Sequence, residues 1–420
     1  MKQTSRTLVG LAAGLAGGLV ISLVDNSTAQ NFARAIEPVG SVWVSLLTMT
    51  VIPLVVSLVI TSIASAGDSD NFGRIAGKAL WVFLLLYLVV AVVTALIAPM
   101  LVAVLNLSWG SIVSSENPAT APVEEDATAA VSFADRIVAM IPSNPFAAAV
   151  NGEIFPLAVF AMMFGLAIAR IRREQRQAAV CFFQGVADAM LIIVRWVLVL
   201  APVGIFAVVL PLAARLGFAI VGALAYYVAL LSLLFTLCTL ALYPVACVFG
   251  RIPALRFARA SAPVQLVALG TQSSLATLPA MIEAAEVRLG LPQRVTGIVL
   301  PLAVTVFRVS APIWLIVASV FVARMYDVPL GPTQIALVCL LSVLMSIGGV
   351  GLPSGASYFA PITPIFLAVG LPVEAIALLF AVDAIPDMFA TVANVTGDMA
   401  VTTIVSPRGQ TAEPAVDHTM

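Results

Sequence analysis

Histidine and charged residues are scarce in this 420-residue sequence, and their scarcity excludes several classes of protein. The one histidine, His418, lies close to the C-terminus, which argues against histidine-based catalytic triads, metal sites and proton relays. Charged residues make up 10% of the chain, against about 25% in soluble domains, and the net charge of −1 offers no basic footprint for nucleic acid. The spacing of the cysteines matches no metal pattern. They are Cys181, Cys238, Cys247 and Cys339.

Long apolar runs without charge dominate the rest of the chain, which is 61% hydrophobic. They cover residues 7–24, 38–67, 79–115, 216–250 and 328–373. A membrane-spanning helix needs about 20 apolar residues, so the sequence predicts an all-α polytopic membrane protein. The predicted spanning helices are 6–25, 38–66, 77–106, 131–170, 173–216, 218–250, 293–325 and 373–405.

The loops predict the orientation of the chain. Residues 169–176 and 251–259 are strongly basic, as is the start MKQTSR, whereas residues 114–130 are acidic. Because positively charged loops stay on the cytoplasmic side, we expect both termini inside the cell and the acidic segment outside. The predicted location is the inner membrane.

Two segments are too polar or too long for a single crossing. Residues 255–290 contain GTQSSLATLPA, and the uncharged stretch 328–373 contains SIGGVGLPSGAS. Each is predicted to form a re-entrant hairpin, because irregular backbone at membrane depth must be buried in protein or line a cavity. Paired interrupted segments indicate a transporter binding site built from inverted repeats. Two ordinary kinked spans are the alternative.

The last predicted span carries polar residues on one face. At 100° per residue they fall within a stripe of about 80°. They are Asp383, Asp387, Thr391, Asn394 and Asp398. Three carboxylates facing lipid would be very costly, so the stripe should face protein, water, cations or a substrate amine. A structural polar seam between helices explains one acid but not three.

Arg308 interrupts the seventh predicted span, in the segment TVFRVSAP. A charge at the centre of the bilayer costs at least about 2.5 kcal/mol, so an intramembrane arginine indicates a functional site. Because guanidinium remains protonated and can grip a carboxylate with two hydrogen bonds, Arg308 could hold a substrate carboxylate. A snorkelling or purely structural arginine is the alternative.

These segments resemble the dicarboxylate/amino acid:cation symporter family, the glutamate transporter homologues. The matching pieces are MTVIPLVVSLVITSIAS (49–65), IPSNPFAAAVNGEIFP (141–156), APVGIFAVV (201–209), TQSSLATLP (271–279), LPLAVTVF (300–307), SIGGVGLPSG (346–355) and DMFATVANVTGD (387–398). The resemblance implies eight spanning helices, two hairpins and a homotrimeric elevator transporter embedded in lipid.

The family architecture also implies a division of the chain into scaffold and moving parts. The scaffold would comprise residues 1–76 with helices 1 and 2, and residues 131–216 with helices 4 and 5. The transport part would comprise residues 77–110 with helix 3, and residues 217–406 with helices 6 to 8 and both hairpins. Residues 111–130 would form an external loop and 407–420 a cytoplasmic tail.

The resemblance assigns expected roles to the polar residues. Asp387 would bind a substrate amine, Asn394 its α-carboxylate and Thr391 its side chain. The tips of the two hairpins would close on the substrate through Ser273, Ser274, Gly349 and Gly351. Asp398 and the Asn394 backbone would form one corner of a residual sodium site.

The sequence departs from the family where cations bind. The family signature NMDGT reads FRVSA at residues 307–311, so Phe307 replaces its asparagine, Arg308 its methionine and Val309 its aspartate. The deep cation site of the third helix has Phe83, Leu86 and Tyr87 in place of its usual ligands. The arginine of the eighth helix that reads a side-chain carboxylate is Ala390.

We therefore expect a secondary transporter for an acidic amino acid such as aspartate or glutamate, with reduced or absent sodium dependence. A C4-dicarboxylate or neutral amino acid carrier is the alternative, driven by protons or working as an exchanger. Sodium ions or protons are the candidate coupling ions. An aspartyl protease is disfavoured because its two acids should lie on separate helices, and no other cofactor is predicted.

Overall fold

A computed structural model describes residues 3–24, 27–65, 73–103, 142–150, 154–348 and 356–406 of the chain. Three predicted features lie outside the described residues: the external loop at 111–130, the tail at 407–420 with His418, and the second hairpin tip with Gly349 and Gly351.

Regular secondary structure in the described residues is helical throughout, which confirms the all-α prediction. The α-helices, numbered in chain order, are α1 (Gln3–Val24), α2 (Ser27–Thr48), α3 (Val51–Ser65), α4 (Gly73–Ala103), α5 (Pro145–Val150), α6 (Ile154–Ile168), α7 (Arg173–Val199), α8 (Ala201–Leu216), α9 (Phe218–Gly250), α10 (Ala254–Thr271), α11 (Ser274–Glu283), α12 (Gln293–Val306), α13 (Ala311–Met325), α14 (Pro332–Gly348), α15 (Ala356–Ala368), α16 (Glu374–Val382) and α17 (Ala384–Val405). A π-helical turn, Ala284–Arg288, follows α11.

Several helical segments of the described chain are long and apolar enough to cross a membrane. They are Thr28–Thr61, Ile75–Ala103, Arg173–Val199, Phe218–Gly250, Gln293–Met325 and Ala384–Val405. These segments agree with a multi-pass membrane protein. The number of eight spans stays a prediction.

Four of the predicted spans are not continuous helices, which corrects the sequence-based boundaries. Breaks occur at residues 49–50, 200, 307–310 and 383. In each case a proline follows within three residues: Pro53, Pro202, Pro312 and Pro386. Proline lacks the N–H that a helix interior needs but fits the first turn, so each proline favours the start of a new helix.

The chain separates into two compact units. The first consists of Met1–Asp68, Ala95–Tyr227 and Leu315–Asp383, and the second of Ser69–Thr94, Val228–Trp314 and Ala384–Met420. The sequence-based division placed residues 315–383 with the last helix, whereas they cluster here with the first unit. The assignment of scaffold and moving parts stays a prediction.

In the first unit, α1 and α2 pack on α8, while α3 packs on α6 and α7. The contact of α2 with α8 is close, because a Cβ added at Gly204 would overlap the indole of Trp43. The indole Nε1 donates to the carbonyl of Val197 at 3.0 Å, which ties α2 to the end of α7. Helices α14 and α15 of the predicted second hairpin pack on each other.

In the second unit, α10, α11 and α12 surround α17. From Ala390 to Thr403, all residues of α17 except Val392 are buried. Helices α10 and α11, joined at Gln272 and Ser273, pack together as a helix–turn–helix. We call this pair the first hairpin. The first hairpin packs on the face of α17 that carries Val395, Thr396 and Met399.

Candidate functional site

The break between α12 and α13 places Arg308 on irregular backbone. Phe307 ends α12 in an extended conformation (φ −121°, ψ 119°). A turn then forms in which the Ala311 amide donates to the Arg308 carbonyl at 2.8 Å. Pro312 favours the break, because it has no N–H to donate to the carbonyl of residue 308 four positions earlier and its ring would clash with that carbonyl in a continuous helix. The sequence predicted one continuous helix here, so the structure corrects that expectation at its arginine.

Tyr87 and Asn394 supply hydrogen bonds to the backbone groups that the break releases. The Tyr87 hydroxyl accepts from the Arg308 amide at 2.8 Å and donates to the Val306 carbonyl at 3.1 Å. Asn394 Oδ1 accepts from the Ser310 amide at 3.0 Å. Since a buried backbone group without a partner is costly, these bonds stabilise the break.

Aromatic and aliphatic side chains fill the space beside the break. Phe307 stacks on Phe83 with ring centroids 4.4 Å apart, and it lies 5.1 Å from the Tyr87 ring. Val309 is fully buried beside them, against Gly397. We call Phe83, Tyr87, Phe307 and Val309 the aromatic plug. Its side chains present one hydroxyl, which is already hydrogen-bonded on both sides.

The polar stripe of α17 faces this break. Asp387 lies in the first turn and is partly exposed, whereas Thr391 and Asn394 are buried. The Thr391 hydroxyl donates to the Asp387 carbonyl at 2.8 Å. Asp383 is not on α17, because it lies in the turn after α16, ahead of Pro386.

Asp398 is the most buried acid among the described residues of the second unit. It is 0% exposed, and neither carboxylate oxygen has a hydrogen-bond partner within the described part of the chain. The positive charge of Arg308 acts on both Asp398 and Asp387. A buried carboxylate is costly without an opposing charge, a proton or a cation, so Arg308 is part of what stabilises this pair of acids.

The tip of the first hairpin lies against the start of α17. Gln272 adopts a left-handed conformation, and its Nε2 donates to the Ala384 carbonyl at 3.0 Å. Ser273 caps α11, with its Oγ accepting from the Ala276 amide at 3.2 Å, and Ser274 begins that helix. Both serines are partly buried. The first hairpin therefore presents its serines at the end of α17 that carries Asp387.

One compact unit thus contains most of the predicted site residues. They are Ser273, Ser274, Arg308, Asp387, Thr391, Asn394 and Asp398. Their roles stay predictions. Among the described residues, no cluster of three or more His, Cys, Asp or Glu side chains is arranged to hold a metal.

A model of the sodium:dicarboxylate symporter family matches residues 4–407. The chain belongs to this family. The resemblance read from the motifs is therefore confirmed, and the protein is a member of a transporter family rather than an enzyme. The match extends from α1 to beyond the end of α17.

Relatives of the family differ in their named substrates. The chain is 27% identical to the proton/sodium-glutamate symport protein of Bacillus caldotenax, over 95% of this chain and 94% of the relative. It is 32% identical to the neutral amino acid transporter B(0) of Bos taurus, over 93% and 77% respectively. It is 27% identical to the C4-dicarboxylate transport protein of Deinococcus radiodurans, over 94% and 88%.

Sequence reasoning missed part of the polar network in this symporter-family unit. Gln265 Nε2 donates to the hydroxyl of Thr396 at 2.9 Å and to that of Tyr243 at 3.0 Å. The signal was a single glutamine in the first arm of the hairpin, on a helix that packs against α17.

A second contact that the sequence did not indicate lies near the end of α17, where Lys78 Nζ donates to the Ile404 carbonyl at 3.2 Å. That contact links residues far apart in sequence.

Proposed function

We propose that the protein is a secondary active transporter for a small carboxylate substrate, with an acidic amino acid such as aspartate or glutamate as the first candidate. The observation that carries the proposal is the position of Arg308 on the break between α12 and α13, where the Tyr87 hydroxyl binds its amide and Asn394 of α17 binds the amide of Ser310. A permanently charged guanidinium in the same unit as Asp387 and Asp398 suits a substrate that carries both an acid and an amine.

The contacts of Asn394 support its expected role with the α-carboxylate. Its Oδ1 accepts from the Ser310 amide, so its Nδ2 is left as the donor end of the side chain. Asp387, partly exposed in the first turn of α17, is suited to the substrate amine. Arg308 would then bind the second carboxylate, in place of the family arginine that is replaced by Ala390.

The aromatic plug supports reduced or absent sodium dependence. Sodium needs oxygen ligands, whereas Phe307 and Val309 supply only hydrocarbon side chains to the break. The Tyr87 hydroxyl already makes hydrogen bonds to the Val306 carbonyl and the Arg308 amide. We propose that Arg308 provides permanently the charge that a bound cation would otherwise bring.

Proton coupling is the second candidate for the driving force. Its basis is Asp398, whose fully buried oxygens lack hydrogen-bond partners among the described residues. Such a carboxylate could take up a proton or a residual sodium ion during the transport cycle. Exchange without a coupling ion, C4-dicarboxylates and neutral amino acids remain the alternatives, and relatives carry names of the latter two substrate classes.

The proposed architecture is that of the family: eight spanning helices, two re-entrant hairpins, inverted repeats and a homotrimer in the inner membrane with cytoplasmic termini. Substrate would cross by an elevator movement of the part that carries α17. Chemical cross-linking in native membranes, followed by gel electrophoresis, would test the trimer. Cross-linked species of more than three copies, or monomers alone, would contradict it.

Uptake into liposomes tests the transport proposal directly. Purified protein would be reconstituted, and labelled aspartate uptake followed under an imposed sodium gradient, a proton gradient or neither, with choline replacing sodium. We expect uptake to persist in choline. A steep dependence on several sodium ions would contradict the sodium proposal, and failure to transport aspartate alongside transport of serine or succinate would contradict the substrate proposal.

A further inference from the structure

The base of the first hairpin contains a basic cleft that the proposed transport site does not use. The cleft has a volume of about 560 Å³ and is lined by Pro253, Leu255, Arg256, Arg259 and Arg288. It lies where α10 begins and the π-helical turn ends, both within the second unit. Its lining contains three arginines and no acid.

Two of these arginines are held in place by hydrogen bonds across the base of the hairpin. Arg256 Nε donates to the Arg288 carbonyl at 3.1 Å, and its Nη2 donates to the Leu289 carbonyl at 2.9 Å. Arg288 Nη1 donates to the Arg259 carbonyl at 3.1 Å. A guanidinium has five N–H donors, so these bonds orient the groups and leave donors for a ligand.

The nearby acid Glu286 is engaged elsewhere. Its carboxylate accepts from the Thr296 hydroxyl at 2.6 Å and from Gln293 Nε2 at 3.4 Å. The guanidinium of Arg259 takes no part in the bonds that join the hairpin base. A cleft with three arginines and no lining acid favours an anion, and planar guanidinium groups suit phosphate oxygens.

Exposed apolar side chains lie next to the cleft and suit contact with the acyl chains of a lipid. Leu255 is 62% exposed and Val287 is 77% exposed. The basic segment 251–259 is predicted to face the cytoplasm. We propose that the cleft binds the phosphate headgroup of an anionic phospholipid of the cytoplasmic leaflet, with its acyl chains against these apolar residues.

The experiment uses the full-length protein in detergent, titrated with phosphatidylglycerol and phosphatidylcholine and followed by native mass spectrometry. Arg259→Gln is the test variant, because the Arg259 side chain does not join the hairpin base. Arg294→Gln is the matched control, since Arg294 is exposed nearby on α12 and does not line the cleft. Arg259→Lys keeps the positive charge but loses the planar guanidinium group that can bind phosphate with two hydrogen bonds.

We expect Arg259→Gln to weaken phosphatidylglycerol binding about fivefold, equivalent to about 1 kcal/mol, while Arg294→Gln resembles the unmodified protein. Arg259→Lys should fall between them. Equal binding of the two lipids, or equal losses of phosphatidylglycerol affinity in Arg259→Gln and Arg294→Gln, would overturn the proposal.

A second experiment adds inorganic phosphate or glycerol 3-phosphate to the lipid-bound protein. Displacement of the lipid at equimolar concentrations would overturn the assignment to lipid and point to a free phosphate ligand.

Discussion

Arg308→Met, which restores the residue of the family signature, tests the proposed site most directly. The Arg308 charge opposes Asp387 and Asp398, and Asp398 is fully buried without a hydrogen-bond partner among the described residues. If Arg308 binds the substrate, its loss leaves a desolvated substrate carboxylate without a partner. Truncating one side of such a pair costs about 2–5 kcal/mol, or roughly 30- to several-thousand-fold in affinity.

The assay is isothermal titration of purified protein with aspartate, alongside a melting curve of the same preparation. Arg294→Met, an exposed arginine of α12, serves as the control for loss of one positive charge. Arg308→Lys keeps the charge without the bidentate fork and should lose less affinity than Arg308→Met. Sodium should not restore binding in Arg308→Met, because Phe307 and Val309 still lack oxygen ligands.

A purely structural arginine gives a different pair of results. The melting temperature would fall, because the buried Asp398 would lose the opposing charge of Arg308, while aspartate affinity would remain unchanged. That combination would refute the substrate-binding role of Arg308. Recovery of affinity by sodium in Arg308→Met would refute the idea that the aromatic plug closes the cation site.

The remaining predictions concern the coupling acid, the break and the first unit. Asp398→Asn should retain aspartate exchange but lose accumulation driven by a proton or sodium gradient in liposomes; undiminished accumulation excludes Asp398 as the coupling residue. Tyr87→Phe removes the hydroxyl that is hydrogen-bonded to two backbone groups, and each group left unsatisfied should cost about 1–3 kcal/mol of stability. Tyr226→Phe is the control, because it loses a single hydrogen bond of 2.7 Å to a carbonyl. The melting temperature of Tyr87→Phe should therefore fall further than that of Tyr226→Phe. Gly204→Ala should destabilise the first unit by about 1–3 kcal/mol through overlap with a tryptophan ring. Gly222→Ala is its control in α9, where nothing lies within 4 Å of the added Cβ, and equal melting curves for the two variants would contradict the packing argument.

The polar stripe and the first hairpin were predictable because both depend on local sequence. Helical periodicity alone placed Asp387, Thr391, Asn394 and Asp398 on one face of α17, and the serine-rich tip marked the turn between α10 and α11. The same periodicity wrongly included Asp383. That residue lies before the helix starts, since Pro386 fits only its first turn.

The break at Arg308 and its support were not predictable from periodicity. Pro312 was a signal for a new helix, but the apolar residues on both sides favoured a continuous span. The hydrogen bonds of Tyr87 join residues more than 200 positions apart, and the stacking of Phe83 on Phe307 does the same. The resemblance to the family predicts that cation ligands are missing here, and the packing of side chains shows which groups lie at those positions.

The aromatic plug makes a cation site of the family type hard to build here by single substitutions. Replacing Phe307 with asparagine would remove the ring that stacks on Phe83, leaving an apolar cavity and a buried amide. Either defect costs about 1–3 kcal/mol or more before any ion can bind, because Val309 would still contribute no oxygen. A sodium site here would therefore need several substitutions at once, because each single one costs stability without completing a set of oxygen ligands. The stacked pair of Phe83 and Phe307 thus opposes the acquisition of sodium coupling by any single substitution.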